Sequence, residues 1–567
     1  MKKNKQVLSK IPTLLLLIAI AFTGCKKSAT TATPPPPPPQ TIFQTTGNTV
    51  NSIVFNSSVA LRGINISPLI KISFSDKVDR STISPAVSYN NKTLGSTVVP
   101  YIVSYQNGDS SIIISPSAAI NYLNEFIFSV STLLKSVSGN SLTNRIDLDF
   151  FTQIDSSNKF PTISDNALLD LVQQQTFKYF WDFGHPVSGL ARERNTSGET
   201  VTSGGSGFGI MAIPVGINRN FITRAQGLAR MQTIVGFLKN TAVKVKGAFP
   251  HWLNGTTGAI IPFTANDNGA DLVETSYLMM GLLTARQYFN GADVAETNLR
   301  SDINTLYNNV EWDWFRQGGQ NVLYWHYSPD KAWIMNVPAR GWNEALITYI
   351  MAASSTTHGI PATVYTNGWK GGSGFTNGNT YYGYQLPLGP AQGGPLFFEH
   401  YTFMGVNPTG LNEGSINYAT QTKNHTLINY NYCKANPNNF FGYSNLVWGL
   451  TASDIAGGYT ASSPTNDVSV IAPTAAISSF PYTPTESLAA LKFDYYVLGD
   501  KIWKQYGFVD AFSLHNIWFA DSFLAIDQGP EIVMIENYRT GLLWNLFTSC
   551  PEVKAGMLSL GFTAPYL

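Results

Sequence analysis

Asp267, Asp271 and Glu274 are spaced four and three residues apart, which places them on one face if residues 267–274 are helical. With a rise of about 1.5 Å per residue, the two ends of such a stripe stand roughly 10 Å apart. Crowded like charges raise at least one carboxyl towards neutrality, the property a general acid needs near pH 7. Leu272, Val273, Leu278, Met279, Met280, Leu282 and Leu283 make the rest of this helix largely apolar, as in a helix buried in a large core. Unpartnered carboxylates are costly in packed hydrocarbon, so the stripe should line a wet cavity.

A further acid, Glu344, stands in Arg340-Gly341-Trp342-Asn343-Glu344 beside an aromatic ring. Asn343 is expected to open a helix through Ala345, Leu346, Ile347, Ile350 and Met351. That puts Glu344 in the first turn, where the helix dipole favours the ionised form, while burial against Trp342 pushes the other way. Two carboxyl groups with different pKa values are what glycoside hydrolysis requires: one protonates the leaving oxygen and one activates water or attacks the sugar.

The composition agrees with a sugar as ligand. Charged residues are 13% of the 567 and aromatic residues another 13%, so polar work falls to neutral groups and flat rings that can stack on pyranose faces. A net charge of +1 without a basic stripe argues against nucleic acid. No Cys/His set has zinc spacing, and Asp267-Asn268-Gly269-Ala270-Asp271 has the residue types of a calcium loop but not its spacing, so no metal is expected. No cofactor is expected either. Gly204-Gly205-Ser206-Gly207-Phe208-Gly209 fits neither a Walker loop nor a dinucleotide fingerprint and reads as a tight turn at the cavity mouth. Cys433 and Cys550 could pair in an exported protein, but their spacing does not decide it.

The elements that must position these residues follow in order along the chain. Lys2, Lys3, Lys5 and Lys10 precede an apolar run at residues 14–22 and Thr23-Gly24-Cys25. Residues 1–24 therefore read as a bacterial lipoprotein signal, with Phe22 where Leu is usual and Cys25 as the lipidated first residue. The apolar run is too short to span a bilayer. Residues 25–40 end in the prolines 34–39, a stiff spacer rising about 3.1 Å per residue.

Residues 41–155 alternate in short β-branched runs, among them residues 52–55, 70–74, 98–103, 111–114 and 126–130. Turn signals at Asn107-Gly108 and Ser138-Gly139-Asn140 separate them, and the pattern predicts a β-sandwich. Residues 161–567 change to helical periodicity. Ser164 or Asp165 caps the first helix, Thr483-Pro484-Thr485-Glu486 reads as a capping box, and Gly529-Pro530 starts a helix that a last short one follows after Pro551. Long Gly/Asn/aromatic loops at residues 254–264 and 367–394 are expected to be functional. Antiparallel helices without a parallel-sheet pattern suggest an α-toroid around a cavity; a solenoid is the alternative, without a fixed period to support it.

Several blocks, in order, carry a resemblance. They are Phe180-Trp181-Asp182, Ser206-Gly207-Phe208-Gly209, Phe249-Pro250-His251-Trp252, residues 267–274, Gly341-Trp342-Asn343-Glu344, residues 395–401, residues 472–476, Asp527-Gln528-Gly529-Pro530 and Glu536-Asn537-Tyr538-Arg539. Together they resemble the bacterial glucoamylase-like domain, in particular glycoside hydrolase family 144, and residues 72–79, 138–142 and 150–152 resemble bacterial Ig-like modules. The resemblance implies a mainly α protein: an (α/α)6 toroid behind a small all-β Ig-like sandwich, acting on β-1,2-glucans internally or by release of sophorose, with inversion.

By position, Asp267, Asp271, Glu274 and Glu344 match the family's essential acids. Glu344 is assigned as general acid, and Asp527 as base with Asp521, Glu531 or Glu536 as replacements. Trp181, Trp252, Trp325 and Trp342 become stacking candidates, and His251, His326, His400 and Glu399 candidates for contact with sugar hydroxyls. The expected partners are a β-glucan and, through the anchor alone, a membrane, with the chain acting as a monomer. Two other classes remain open: a lipid-anchored glycan-binding protein without catalysis, and a transglycosylase or synthase-accessory domain.

Overall fold

A computed structural model describes residues 42–567 apart from residue 57. The leader, Cys25 and the proline spacer lie outside the described residues. Two five-stranded sheets form first. One has the order β2-β1-β4-β8-β7, from β1 (Thr45–Val50), β2 (Ile53–Val54), β4 (Ile70–Phe74), β7 (Tyr101–Gln106) and β8 (Ser111–Pro116). The other runs β3-β10-β9-β5-β6, from β3 (Leu61–Ile64), β5 (Val87–Asn91), β6 (Thr97–Val98), β9 (Glu125–Val130) and β10 (Ile146–Thr152).

The period-2 alternation has a direct consequence. Ile70, Ile72 and Phe74 of β4 are buried while Lys71 and Ser73 between them are not, and Ile70 and Ile72 pair across the ladder with Ile114 and Ile112. These side chains and Phe126, Phe128 and Phe150 of the other sheet share one core. Among the described residues only β3 and β10 pair in parallel. This region meets the helical body where Arg62, stacked on Phe151 of β10 at 3.9 Å, donates to the His515 carbonyl.

The helical body has its own core. Its helices of six or more residues are α1 (Asp165–Trp181), α2 (Ser203–Asn218), α3 (Arg224–Asn240), α4 (Leu272–Tyr288), α5 (Val294–Asn308), α6 (Leu346–Ser354), α7 (Tyr418–Ala435), α8 (Pro473–Ser478), α9 (Pro484–Tyr496), α10 (Ala525–Thr540), α11 (Leu542–Thr548) and α12 (Pro551–Ser559). The chain is therefore mainly helical, with an N-terminal sheet region. Neighbouring helices α8, α10, α2, α4 and α6 pack successively side by side, and α9, α1, α11 and α12 back them.

The glycine block turns out to be helix, not the expected turn. It forms the buried first half of α2, because its glycines let α2 and α4 approach backbone to backbone. A Cβ on Gly207 would stand 2.3 Å from the Tyr277 carbonyl, and one on Gly281 2.2 Å from that of Gly207.

Other boundaries differ in instructive ways. Ser164 caps α1, accepting from the Ala167 amide at 3.3 Å. At α9, proline occupies the first turn but no side-chain cap forms, since the Thr483 hydroxyl turns to the Ser479 carbonyl and Ser487. Helix α10 starts at Ala525, not at Gly529, and carries Pro530 inside it. Cys433 and Cys550 are buried free thiols.

Candidate active site

The acids do not form a helical stripe. Among them only Glu274 is helical: α4 begins at Leu272, Asp271 is its N-cap, and Asp267 lies in the preceding loop. Asp271 Oδ1 accepts from the amides of Val273 and Glu274, each at 3.0 Å. These are two of the orphan donors that open every helix. A short antiparallel ladder, Ala270↔Tyr327 and Asp271↔His326, then lays a second segment alongside. One oxygen each of Asp267 and Asp271 and a nitrogen of His251 lie within 4.8 Å of one another. That set could seat a cation.

Two histidines balance the three carboxyls. His251 Nδ1 stands 3.1 Å from Asp271 Oδ2, and His326 Nε2 lies 3.6 Å from Asp267 and 3.7 Å from Asp271. Burial alone would lower the pKa of His251, but Glu274, Asp271 and Asp267 outweigh it and push the imidazole up to about 9. It is a cation at neutral pH. Burial likewise opposes ionisation of Asp271, yet the His251 hydrogen bond and the charges of both histidines hold it below the usual carboxylate range. Glu274 and Asp267 shift upward, chiefly through burial and then through the charge of Asp271. Glu274 Oε2 is held by the Gly204 amide at 2.8 Å, at the N-terminus of α2, where helix donors are unpaired.

Glu344 faces this cluster. It precedes α6, which begins at Leu346 with Ala345 as N-cap; the Asn343 side chain takes the Ala345 amide at 2.9 Å instead of opening the helix. Glu344 is thus outside the first turn, where the dipole would favour its anion. Burial pushes its carboxyl up to about 7, and the charges of Glu274 and Asp271 add to the shift. A protonated Glu344 beside an ionised Asp271 separates a proton donor from the groups that orient a ligand.

One cavity adjoins the cluster and a second continues it. One of 370 Å³ is lined by His251, Trp252, Phe263, Thr202, Arg194 and Tyr459, among others. A more open one of 670 Å³ continues from Arg194 and Tyr459 to Asp454, Trp518, Asp521 and Ser522. Phe263 stacks on His251 with centroids 4.3 Å apart, and Trp325 lies parallel to His326 at 5.7 Å. Trp252 and Trp325 remain partly exposed, as stacking residues must.

Asp527 is in the first turn of α10 and almost fully buried. Burial and then Asp510 raise its carboxyl well above the usual range; Asp510 is itself pushed up to about 7 by burial. Asp510 Oδ2 accepts the Asp454 amide at 2.7 Å, and Asp454 pairs with Arg194 at 3.1 Å. These three aspartates form a second acid group, reached through Arg194 and Tyr459. Asp454 and Asp510 carry no signal in the sequence, because they are isolated acids on separate short strands and turns. Phe263, Tyr459 and Arg194 are equally silent.

Other candidates are placed elsewhere. Glu531 is buried against Thr176, at 3.2 Å, and Glu536 is bound by Arg219 at 2.7 Å, so neither reaches the cleft. Asp521, on the wall of the larger cavity, is exposed and paired with Lys504. Trp181 is covered by Phe177 at 5.6 Å and by the Arg230 guanidinium at 4.3 Å, away from the acids. Trp342, Glu399 and His400 are 3%, 0% and 2% exposed, and the Trp342 indole, Glu399 Oε1 and His400 Nε2 are bonded within the core. His400 bonds Ser479 at 3.0 Å, and burial drives its pKa down to about 3. The aromatic block 395–401 is core: His400 and one carboxylate oxygen of Glu399 are bonded internally.

Comparison with known proteins adds the relatives. Residues 336–551 match the family model described as "Putative glucoamylase". A curated relative of Parabacteroides distasonis, the exo beta-1,2-glucooligosaccharide sophorohydrolase (non-reducing end), is 45% identical over 429 residues, which is 72% of this chain. The chain matches 59% of that relative's length. Among solved structures, a "putative glucoamylase" of Bacteroides uniformis is 54% identical with a TM-score of 0.71, over 72% of this chain and 100% of the other. The endo-beta-1,2-glucanase of Chitinophaga pinensis, in complex with sophorotriose and glucose, is 48% identical with a TM-score of 0.70, over the same shares.

Proposed function

Since the chain belongs to the bacterial glucoamylase-like family, of the glycoside hydrolase family 144 type, we propose that it hydrolyses β-1,2-glucan with inversion, internally or with release of sophorose. The observation that carries this reading is Glu344, a carboxyl pushed up to about 7 in front of Glu274 and Asp271. At neutral pH it holds a proton for the glycosidic oxygen, and the bond to the anomeric carbon breaks as that proton moves. Asp271, fixed by two amides and by His251, orients glucose hydroxyls together with Glu274. Trp252 and Trp325 offer ring faces to the pyranoses.

A water must attack from the opposite side, and its proton passes to the second acid group. Asp527 is the proposed base. Burial keeps Asp527 protonated, so as it takes the water's proton its own proton passes to the hydrogen-bonded Asp510, whose carboxyl is pushed up to about 7. No step in this scheme requires a cofactor.

The same reading extends to architecture. The successive packing of α8, α10, α2, α4 and α6 with helices behind them supports an (α/α)6 toroid, and the two sheets around one core support an Ig-like module as spacer. Cys25 is proposed as the lipidated residue that tethers a monomeric enzyme to the bacterial envelope, on the periplasmic side or at the cell surface.

The test is release of reducing sugar from linear β-1,2-glucan. Short sophoro-oligosaccharides support the reading. Glucan bound without cleavage points to a binding protein, and chains longer than the substrate to a transglycosylase; either result overturns hydrolysis.

A further inference from the structure

Glu344 lies outside α6, so no helical hydrogen bond fixes its backbone. What fixes it comes from Tyr277 and from the segment at residues 396–404. The Glu344 carbonyl accepts from the Thr402 hydroxyl at 3.4 Å and from Tyr277 at 3.3 Å, and the same Thr402 oxygen accepts the Ile347 amide at 3.2 Å. Two residues before Glu344, the Trp342 indole donates to Glu399 Oε1 at 3.0 Å. Tyr418, Phe403 and Trp369 surround that ring.

Glu399 is itself unusually constrained. Its Oε1 also takes Gln421 at 2.8 Å and His425 Nδ1 at 2.9 Å, and His425 Nε2 is anchored on the Gly394 carbonyl at 3.0 Å. Its backbone carbonyl receives the Tyr482 hydroxyl at 2.7 Å. One carboxylate oxygen, Oε2, is buried without a hydrogen-bond partner. Leaving that oxygen unpaired is costly, and the carboxylate is set here by the three donors gathered on Oε1, the Trp342 indole among them.

We infer that Glu399 is a positioning residue: through the Trp342 indole it holds the 340–344 loop so that the Glu344 carboxyl stays in its low-dielectric seat. The inference rests on Glu344 being the general acid. Loosening the loop admits water to Glu344, and a carboxyl raised by burial then relaxes towards its ordinary value.

The experiment is a pH–rate series on linear β-1,2-glucan with the full chain, comparing wild type with Trp342→Phe, Glu399→Leu and Glu399→Gln, each checked for folding by circular dichroism. Trp342→Phe keeps the ring and removes the donor. The expected result for it and for Glu399→Leu is an alkaline limb moved about one unit to lower pH, with kcat down about tenfold and KM within about twofold. Glu399→Gln keeps the acceptor and returns the limb to the wild-type position. Folded Trp342→Phe and Glu399→Leu with the wild-type limb overturn the inference, as does a Glu399→Gln limb that moves with theirs. Wild type that cleaves no glucan overturns the functional reading itself.

Discussion

Gly204 donates its amide to Glu274 at 2.8 Å, and the same residue has no room for a side chain: a Cβ would stand 2.4 Å from Glu274 Oε2 and 2.8 Å from the Tyr277 ring. The glycine therefore both binds the carboxylate and fixes how near it comes.

Gly204→Ala is expected to displace Glu274 while leaving α2 helical, since alanine is the better helix former. A displacement near 1 Å at a ligand-orienting carboxylate lowers kcat/KM by roughly 10- to 100-fold. Steady-state kinetics beside circular dichroism check this; an unchanged rate removes Glu274 from the site.

Asp271→Asn retains a side-chain oxygen to cap α4, so helix stability changes by a few tenths of a kcal/mol at most, roughly. It removes the anion bonded to His251, whose pKa should fall from about 9 towards the ordinary histidine value. An NMR titration of the His251 ring measures the fall directly, and turnover should drop with it.

The location of this site was partly legible and partly not. Asp267, Asp271 and Glu274 were conspicuous as acids before an apolar run, and Glu344 as an acid in an aromatic block. The helical stripe was the wrong geometry for the right residues, because capping and the pairing of Asp271 with His326 override spacing. His326 is 55 residues away, from 326 − 271, and periodicity carries no information on such pairings. The glycine block read as a turn because glycine favours turns; it became helix because α2 and α4 must meet backbone to backbone. Trp342, Glu399 and His400 looked like ligands since polar and aromatic residues in one block serve a sugar site and a satisfied core equally well.

If Glu344 is the acid, it must carry a proton. Activity on glucan should then fall as pH rises through about 7, the value to which burial pushes it. A kcat/KM profile places this alkaline limb, and a limb near pH 9 would assign it to His251 instead.

Glu531 and Asp494 are buried with unpartnered carboxyl oxygens. Burial raises Glu531 to about 8 from an ordinary 4.5. The folded protein thus holds a proton that the unfolded chain releases, and stability declines as pH climbs from about 4.5 to about 8. Glu531→Gln should remove its part of that decline, giving a Tm gain over wild type that is larger at pH 8 than at pH 5. Calorimetric scans at the two pH values decide it.

The most direct test of the account is the action of wild type and Glu344→Gln on linear β-1,2-glucan, followed by product chromatography and by calorimetric binding of a sophoro-oligosaccharide. Wild type should release short sophoro-oligosaccharides, while Glu344→Gln loses at least about 100-fold in kcat and still binds. Wild-type turnover in Glu344→Gln, or a wild type that leaves the glucan intact, would contradict it.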